Sequence, residues 1–191
     1  MLNQNEAQKI FIDSGALMEG HFILTSGRHS NQYMQCAQVL QYPAYTEELA
    51  KHIADKFRDD NIELVIGPAM GGIIVAYEVA RQLGVTSVFT ERLEGEMALR
   101  RGFMIDAGQR VLVVEDVVTT GGSVKEVMEV VKTFGGKVAG VGILVDRSAG
   151  KVQFGVKQEA VLTMDIESWP STDCPLCKEG KLRAVKPGSR G

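Results

Sequence analysis

The sequence predicts one α/β domain built on a mainly parallel sheet that is flanked by helices. Short apolar runs alternate with segments whose apolar residues recur at helical spacing, the pattern of βαβ units. The run 110–115 contains four consecutive aliphatic residues, as expected for a strand buried on both faces. Pro43 opens a segment in which Leu49, Ile53 and Phe57 recur four residues apart, which predicts an amphipathic helix.

The other elements are predicted from the same alternation and from glycine stop signals. A short amphipathic helix is expected up to about Leu17, followed by an extended segment rich in glycine and serine. Glycines after Leu83 and Phe134 end two further helices, which begin near Gly72 and Gly122. The polar segment 92–102 is predicted to be a loop or hairpin. The remaining strands are predicted at 64–66, 86–90, 138–145 and 161–166.

Composition restricts the class of protein. A chain of 191 residues that is 45% hydrophobic can bury a core without disulfides. Its 24 acidic and 21 basic residues give a net charge of −3, which disfavours general nucleic-acid binding. Three cysteines are too few for a disulfide framework and fit a reducing compartment. We find no signal peptide and no membrane-length apolar run, so we expect a cytoplasmic protein.

The segment 111–124, VLVVEDVVTTGGSV, is the most informative for function. A predicted buried strand ends in the acids Glu115 and Asp116 and then enters a turn of hydroxyl and glycine residues that opens a helix. Unpaired N–H groups at a helix start attract phosphate, and carboxylates accept hydrogen bonds from sugar hydroxyls. The segment therefore predicts a ribose 5-phosphate site at the carboxyl end of a strand. The alternative, a plain strand–turn–helix with a capping hydroxyl, explains the turn but not the acid pair.

VVEDVVTTGGSV resembles the signature with which type I phosphoribosyltransferases bind 5-phosphoribosyl 1-pyrophosphate (PRPP). VIGPAMGG at 65–72 is similar to the turn that holds pyrophosphate in that family, although by itself it also suits an ordinary turn. The resemblance implies the type I phosphoribosyltransferase fold with a small N-terminal hood, and it covers about residues 5–166. It implies PRPP binding by Glu115, Asp116, Val117, Val118, Thr119, Thr120, Gly121, Gly122 and Ser123.

Two further segments resemble the orotate-using branch of the family. FILTSGRHSNQY at 22–33 is similar to its F-x-L-x-S-G-x-x-S-x-x-Y hood segment, and LVDRS at 144–148 is similar to the strand end whose arginine holds the orotate carboxylate. A guanidinium suits that role because it binds a carboxylate in a fork. The resemblance implies orotate binding by Thr119, Arg147, Ser26 and Gly27.

The reaction implied by this resemblance joins orotate and PRPP to give orotidine 5′-monophosphate and pyrophosphate, a step of de novo UMP (pyrimidine) biosynthesis. It implies Mg²⁺ carried by the substrate, with no metal ligands from the protein. It also implies a homodimer whose loops reach the neighbouring active site. In domain terms, it predicts a catalytic domain at 1–169, with a hood from about 1–40 plus 147–166, and a Cys/Pro/Gly-rich tail at 170–191.

The sequence departs from the family pattern at two places. Many members have a lysine where this chain has Thr25, and many have a mobile loop with two lysines and a histidine. Here the loop carries Arg92, Arg100 and Arg101 and resembles a shorter-loop branch. Arg92 is the closest match to a family lysine and is our candidate for a catalytic loop residue. A solvated charged loop is the competing interpretation.

Two other functions stay open at this point. A purine or uracil salvage phosphoribosyltransferase would share the PRPP signature, but neutral bases need no carboxylate clamp at Arg147. A non-catalytic PRPP-sensing regulator would need a basic surface or an added DNA-binding domain, for which the charge and length leave little room.

Cys174 and Cys177 form a single C-x-x-C pair, which is half of a zinc site. Two tails meeting in a dimer would complete such a site, but the sequence favours a reduced pair without metal. His21, His29 and His52 show no ligand spacing in the sequence. Cys36 is interpreted as a small core residue.

Overall fold

The computed structural model describes residues 2–24 and 26–187. Thr25, the position of the first departure from the family, lies outside the described residues. The elements in chain order are α1 (Gln4–Asp13), β1 (Leu17–Ile23), β2 (His29–Met34), α2 (Ala37–Leu40), α3 (Pro43–Phe57), β3 (Leu64–Pro68), α4 (Gly71–Leu83), β4 (Thr86–Leu93), β5 (Glu96–Leu99), β6 (Arg110–Val118), α5 (Gly122–Thr133), β7 (Lys137–Asp146), β8 (Lys157–Thr163) and α6 (Pro175–Glu179).

Six strands form the central sheet in the order β5-β4-β3-β6-β7-β8. All neighbours pair in parallel except β5, which folds back antiparallel on β4 at one edge. The predicted α/β class with a mainly parallel sheet is confirmed, and the segment 92–102 contains the turn of the β4–β5 hairpin and strand β5. Because β3, β6 and β7 are adjacent and parallel, their carboxyl ends meet at one edge of the sheet.

The sheet separates two apolar cores, because its central strands are buried on both faces. Helices α1 to α4 contribute to one core, in which Phe11, Leu49 and Phe57 are fully buried. Helix α5 covers the other face through Val124, Val127 and other residues on one side of the helix. Among the described residues, no helix is both long and apolar enough to cross a bilayer.

A second, two-stranded sheet forms the hood, and the C-terminal tail pairs with it. Strands β1 and β2 are antiparallel. Trp169 exchanges two backbone hydrogen bonds of 2.8 Å with His29, and Val185 bonds to the backbone of His21 and Ile23 on the other strand. The tail at 170–187 therefore lies on the hood and is held there by backbone hydrogen bonds.

The predicted extent of the hood was wrong for part of 147–166. Within that range, β8 belongs to the central sheet, where it pairs with β7. The predicted strand at 161–166 is observed earlier, at Lys157–Thr163. The physical reason is that β8 is an edge strand whose first residues, Lys157 to Glu159, are polar, so no apolar run marked its start.

Candidate active site

The acid pair lies where strand β6 leaves the core. Glu115 is buried and Asp116 is half-buried, and the backbone N–H groups of Asp116 and Val117 donate to the carboxylates of Glu115 and Asp116 at 3.1 and 2.9 Å. Burial and the neighbouring Asp116 charge raise the pKa of Glu115 to about 9. Burial also raises the pKa of Asp116. Burial of two adjacent carboxyl groups therefore disfavours a second negative charge on the pair.

The turn after β6 leaves backbone donors open at the start of α5. Gly121 precedes the helix in the left-handed region with φ +75°, and no side chain caps the helix start. Helix α1, by contrast, is closed by a full capping box from Asn3 and Glu6. A Cβ at Gly121 would meet Val152 Cγ1 at 2.7 Å, so glycine is required here. The uncapped N–H groups and the helix dipole fit an anion.

The turn between β3 and α4 approaches the acid pair from the neighbouring strand. A Cβ on Gly71 would collide with the carboxylate of Asp116, so the backbone comes into direct contact with that side chain. The Ala69–Met70 peptide bond in this turn is cis. The segment predicted to hold pyrophosphate therefore lies beside the predicted ribose site.

Arg147 follows the end of β7, next to the phosphate turn. Its backbone N–H donates to the carbonyl of Val118 at 2.8 Å. Its buried Nε has no hydrogen-bond partner among the described residues. Burial lowers the pKa of Arg147, and the nearby Tyr33 and Cys36 oppose that shift. A buried, unpaired guanidinium N–H beside the hood is the donor that a ligand carboxylate would satisfy.

One cavity of about 270 Å³ gathers most of the predicted PRPP residues with the candidate loop arginine. Of the predicted set, Asp116 alone is not part of the lining. A larger cavity of about 640 Å³ between β5 and α5 lacks both the acid pair and the phosphate turn. The smaller cavity is lined by Arg92, Glu115, Val117, Val118, Thr119, Thr120, Gly121, Gly122, Ser123, Val124 and Glu126.

The residues predicted to bind orotate or to act from the loop are less closely grouped than those of the PRPP cavity. Ser26 and Gly27 are exposed in the turn of the hood hairpin, and neither they nor Arg147 line the 270 Å³ cavity. Arg92 is half exposed and its guanidinium bonds to Glu126 and to the carbonyl of Gly95. The roles of these residues stay predictions.

The other two loop arginines form ion pairs outside the PRPP cavity. Arg100 and Arg101 pair with Glu91 on β4 at 3.3 and 2.9 Å, and all three are at the surface or half-buried. These exposed ion pairs join residues at the two ends of the β4–β5 hairpin and contribute little to stability. Of the three loop arginines, Arg92 alone lines the cavity that contains the phosphate turn.

Two supporting residues were missed in the sequence. The buried carboxylate of Asp146 accepts hydrogen bonds from the N–H groups of Ser148 and Gly150 at 2.7 and 3.0 Å, which fixes the turn that carries Arg147. The pattern D-x-S-x-G is the available signal, because aspartate commonly caps the backbone of a following turn. The thiol of Cys36, interpreted as a core residue, donates to the carbonyl of Asp116 at 3.5 Å.

Comparisons with known proteins identify the family of this chain. The family model described as phosphoribosyl transferase domain matches residues 35–168. An orotate phosphoribosyltransferase of Pelotomaculum thermopropionicum is 60% identical over 189 residues, covering 99% of both chains. One of Desulforamulus reducens is 59% identical, covering 99% of this chain and 98% of the relative.

A solved structure shares the fold at lower identity. The orotate phosphoribosyltransferase of Aeropyrum pernix superposes with a TM-score of 0.69 at 27% identity, covering 82% of this chain and 92% of that one. The family model spans the central sheet, and the matches to the two relatives cover nearly the whole chain, including the hood. This chain belongs to the phosphoribosyltransferase family and, within it, to the orotate phosphoribosyltransferases.

Proposed function

We propose that this protein transfers ribose 5-phosphate from PRPP to orotate, giving orotidine 5′-monophosphate and pyrophosphate in pyrimidine biosynthesis. The observation that carries this proposal is the unpaired Nε of Arg147, buried at a strand end beside the phosphate turn. Orotate differs from the neutral bases by its carboxylate, and that group is the natural partner of a buried guanidinium.

The acid pair is assigned to the ribose. Breaking the bond to pyrophosphate builds positive charge on the sugar, and a nearby carboxylate stabilises that charge without forming a covalent bond. We assign the proton of the pair to Glu115, whose pKa is raised to about 9, and the negative charge to Asp116. Ribose hydroxyls then bond to both carboxyl groups, which fixes the sugar for attack.

The two turns divide the phosphates between them. Backbone N–H groups of the turn 119–123 and the hydroxyls of Thr119, Thr120 and Ser123 bind the 5-phosphate. The turn after β3 binds pyrophosphate through its backbone, beside Asp116. This assignment places the two turns on either side of the ribose. It fits the pairing of β3 with β6, because neighbouring parallel strands end at the same edge of the sheet.

Mg²⁺ is proposed to bind together with PRPP. The phosphate oxygens of PRPP are hard donors that suit this ion, which keeps several waters and seldom needs an all-protein cage. When bound, the ion neutralises charge on the departing pyrophosphate. The protein's own contribution is to orient the ribose and to hold the two phosphate groups apart.

Arg92 is proposed to reach the pyrophosphate from the β4–β5 hairpin. It lines the same cavity as the phosphate turn, and its current partner Glu126 is exposed, so the pair is weak. When pyrophosphate binds, one of its oxygens would replace the Glu126 carboxylate as the partner of Arg92. The Arg92 guanidinium would then have a negatively charged partner both before and after binding. Closure of the hairpin would also exclude water from PRPP.

We extend the proposal to a homodimer that acts in the cytoplasm. Met70, Ile74 and Tyr77 are exposed at helical spacing along the start of α4, and such a stripe is typical of an interface. Since the stripe begins in the pyrophosphate turn, a second subunit there would lie close to the active site. The free state of Cys36, Cys174 and Cys177 fits a reducing compartment.

The reaction is tested by following the absorbance of orotate in the presence of purified protein. We expect orotate to be consumed when PRPP and Mg²⁺ are both added, and to persist when either is left out. Uracil, adenine and hypoxanthine serve as matched controls under the same conditions. Turnover of uracil or a purine at a rate equal to that of orotate would instead support a salvage enzyme, and PRPP binding without any turnover would support a regulator.

A further inference from the structure

Four metal-binding side chains meet where the hood hairpin contacts the C-terminal tail. They are His21 and His29 of the hood and Cys174 and Cys177 of the tail, and their ligand atoms all lie within 4.8 Å of one another. None of them lines the PRPP cavity. The histidines are about 150 residues distant from the cysteines in the sequence, so the fold brings together groups that showed no ligand spacing.

The separations of these atoms are close to those around a tetrahedral ion. Cys177 Sγ lies 3.3 Å from His29 Nδ1 and 3.6 Å from His21 Nε2, and Cys174 Sγ lies 3.5 Å from His21 Nε2. With zinc bonds of about 2.3 Å to sulfur and about 2.0 Å to nitrogen, sulfur–nitrogen edges are roughly 3.5 Å. The histidine nitrogens are 2.8 Å apart and would separate by about half an ångström around an ion.

His21 is oriented as metal-binding histidines usually are. Its Nδ1 lies 2.9 Å from the carbonyl oxygen of Leu182. Because a carbonyl oxygen accepts, the proton lies on Nδ1, and Nε2 presents its lone pair to the cluster. A backbone carbonyl that fixes the tautomer in this way is a common outer partner of a metal-bound histidine.

The surrounding structure holds all four ligands in place. Cys174 is fully buried, His21 and His29 are buried, and Cys177 closes the cluster toward solvent. Cys174 immediately precedes α6 and Cys177 lies in its first turn, and the end of the helix is marked by Gly180 in the left-handed region. Backbone pairing of the tail with both hood strands, at residues 169 and 185, encloses the cluster.

We propose that His21, His29, Cys174 and Cys177 form a structural zinc site that fastens the C-terminal tail to the hood. Two thiolates and two imidazoles are the ligands that zinc prefers, whereas Mg²⁺ prefers oxygen. Four protein ligands leave no open position for substrate, so the site is structural. The site is complete within one chain and needs no second tail.

Metal analysis of the purified protein is the first test. We expect one zinc ion per chain after incubation with Zn²⁺ and gel filtration, and loss of that zinc in the double variant Cys174→Ser/Cys177→Ser. Cys36→Ser is the matched control, because Cys36 is buried outside the cluster, and it should keep its zinc. Wild-type protein without bound zinc, or a double variant that retains one equivalent, would overturn the proposal.

Cobalt substitution reports the ligands directly. Titration of metal-free protein with Co²⁺ should give the strong visible bands of a tetrahedral site and a thiolate charge-transfer band in the near ultraviolet. His21→Asn and His29→Asn should weaken these bands, and His52→Asn, a change at the third histidine, should leave them unchanged. Weak bands of an octahedral, oxygen-bound ion in the wild type would contradict the assignment.

Two measurements keep the test decisive if the double variant does not fold. Cys177 is exposed, so Cys177→Ser should fold and bind zinc roughly tenfold more weakly or worse. Removal of zinc from the wild type by a chelator should lower Tm, and Zn²⁺ should restore it. The zinc site would be overturned if neither the chelator nor added Zn²⁺ changed the Tm of the wild type and Cys177→Ser bound zinc as tightly as the wild type. These readouts do not depend on the reaction proposed above.

Discussion

The backbone N–H of Arg147 donates to the carbonyl oxygen of Val118 at 2.8 Å, so the end of β7 is fixed beside the start of the phosphate turn. The relationship places a base-binding residue next to a sugar-phosphate site through the sheet itself. Asp146 adds two hydrogen bonds that shape the turn after Arg147. The position of the guanidinium is therefore set before any ligand arrives, as a preorganised site requires.

Replacement of Arg147 by alanine should weaken orotate binding and spare PRPP binding. A lost charged hydrogen bond costs about 1.5–3 kcal/mol, which corresponds to a KM for orotate that is roughly 10- to 100-fold higher. Steady-state kinetics and calorimetry of PRPP binding without orotate measure the two effects. The control is Arg58→Ala, at an exposed ion pair beside α3. Loss of PRPP affinity with unchanged orotate affinity would contradict the placement of Arg147.

Asp116→Asn should lower kcat with little change in fold. The substitution keeps the shape of the side chain but removes the charge that faces the cationic sugar, an effect of about 10- to 1,000-fold in rate. Circular dichroism checks the fold and steady-state assays give kcat. Asp55→Asn, at a surface pair on α3, should leave kcat unchanged. An unaltered kcat in Asp116→Asn would mean that this acid merely ends the strand.

Glu115→Gln should stabilise the free protein at alkaline pH. The folded pKa of Glu115 is raised from 4.5 to about 9 by burial and by Asp116. Above pH 4.5 the unfolded chain loses this proton while the folded protein keeps it, so stability falls as pH rises toward the folded pKa, by at most about 1.4 kcal/mol per pH unit.

Thermal unfolding at about pH 5 and about pH 8 measures this loss of stability, because most of it falls between these two pH values. We expect the Tm of Glu115→Gln to exceed that of the wild type by several degrees at the higher pH and by less at the lower pH. Glu129→Gln, an exposed change on α5, is the control. A difference in Tm that is the same at both pH values would show that Glu115 is not protonated in the folded protein.

Gly121→Ala should damage both stability and PRPP binding. Alanine at this positive φ is strained by about 1–2 kcal/mol, and its Cβ would also meet Val152 at 2.7 Å. Gly84→Ala isolates the first contribution, because Gly84 has φ +73° with open space where a Cβ would lie. Denaturant unfolding should therefore show a larger loss for Gly121→Ala, together with weaker PRPP binding. Equal losses in the two variants would mean that the phosphate turn tolerates a side chain.

The sequence was most informative where local and long-range preferences agree. The ends of strand β6 and helix α5 were predicted to within a few residues. Four consecutive aliphatic residues indicate the strand, and the acid pair and two glycines after them indicate the turn into the helix. Strand β8 was misplaced because its polar half is held by pairing with β7. The hood hairpin was predicted simply as extended, since its pairing with Trp169 and Val185 depends on residues far along the chain.

The same contrast explains which site residues the sequence revealed. Glu115 to Ser123 form one continuous segment from the end of β6 to the start of α5, so their convergence follows from local geometry. His21 and His29 are eight residues apart, and they become neighbours because a hairpin turn at Ser26 and Gly27 brings the two strands together. That turn was the available signal for the pair. Their meeting with Cys174 depends on the path of the tail, which no local pattern specifies.

Recognition of the orotate carboxylate by Arg147 is best tested by the ratio of kcat/KM for orotate to that for uracil, measured in the wild type and in Arg147→Ala. If Arg147 recognises the carboxylate that distinguishes these bases, the wild type should prefer orotate by roughly 100-fold or more, and the variant should lose roughly 10- to 100-fold of that preference. A preference that is equally strong in the variant, or absent from the wild type, would contradict this role for Arg147.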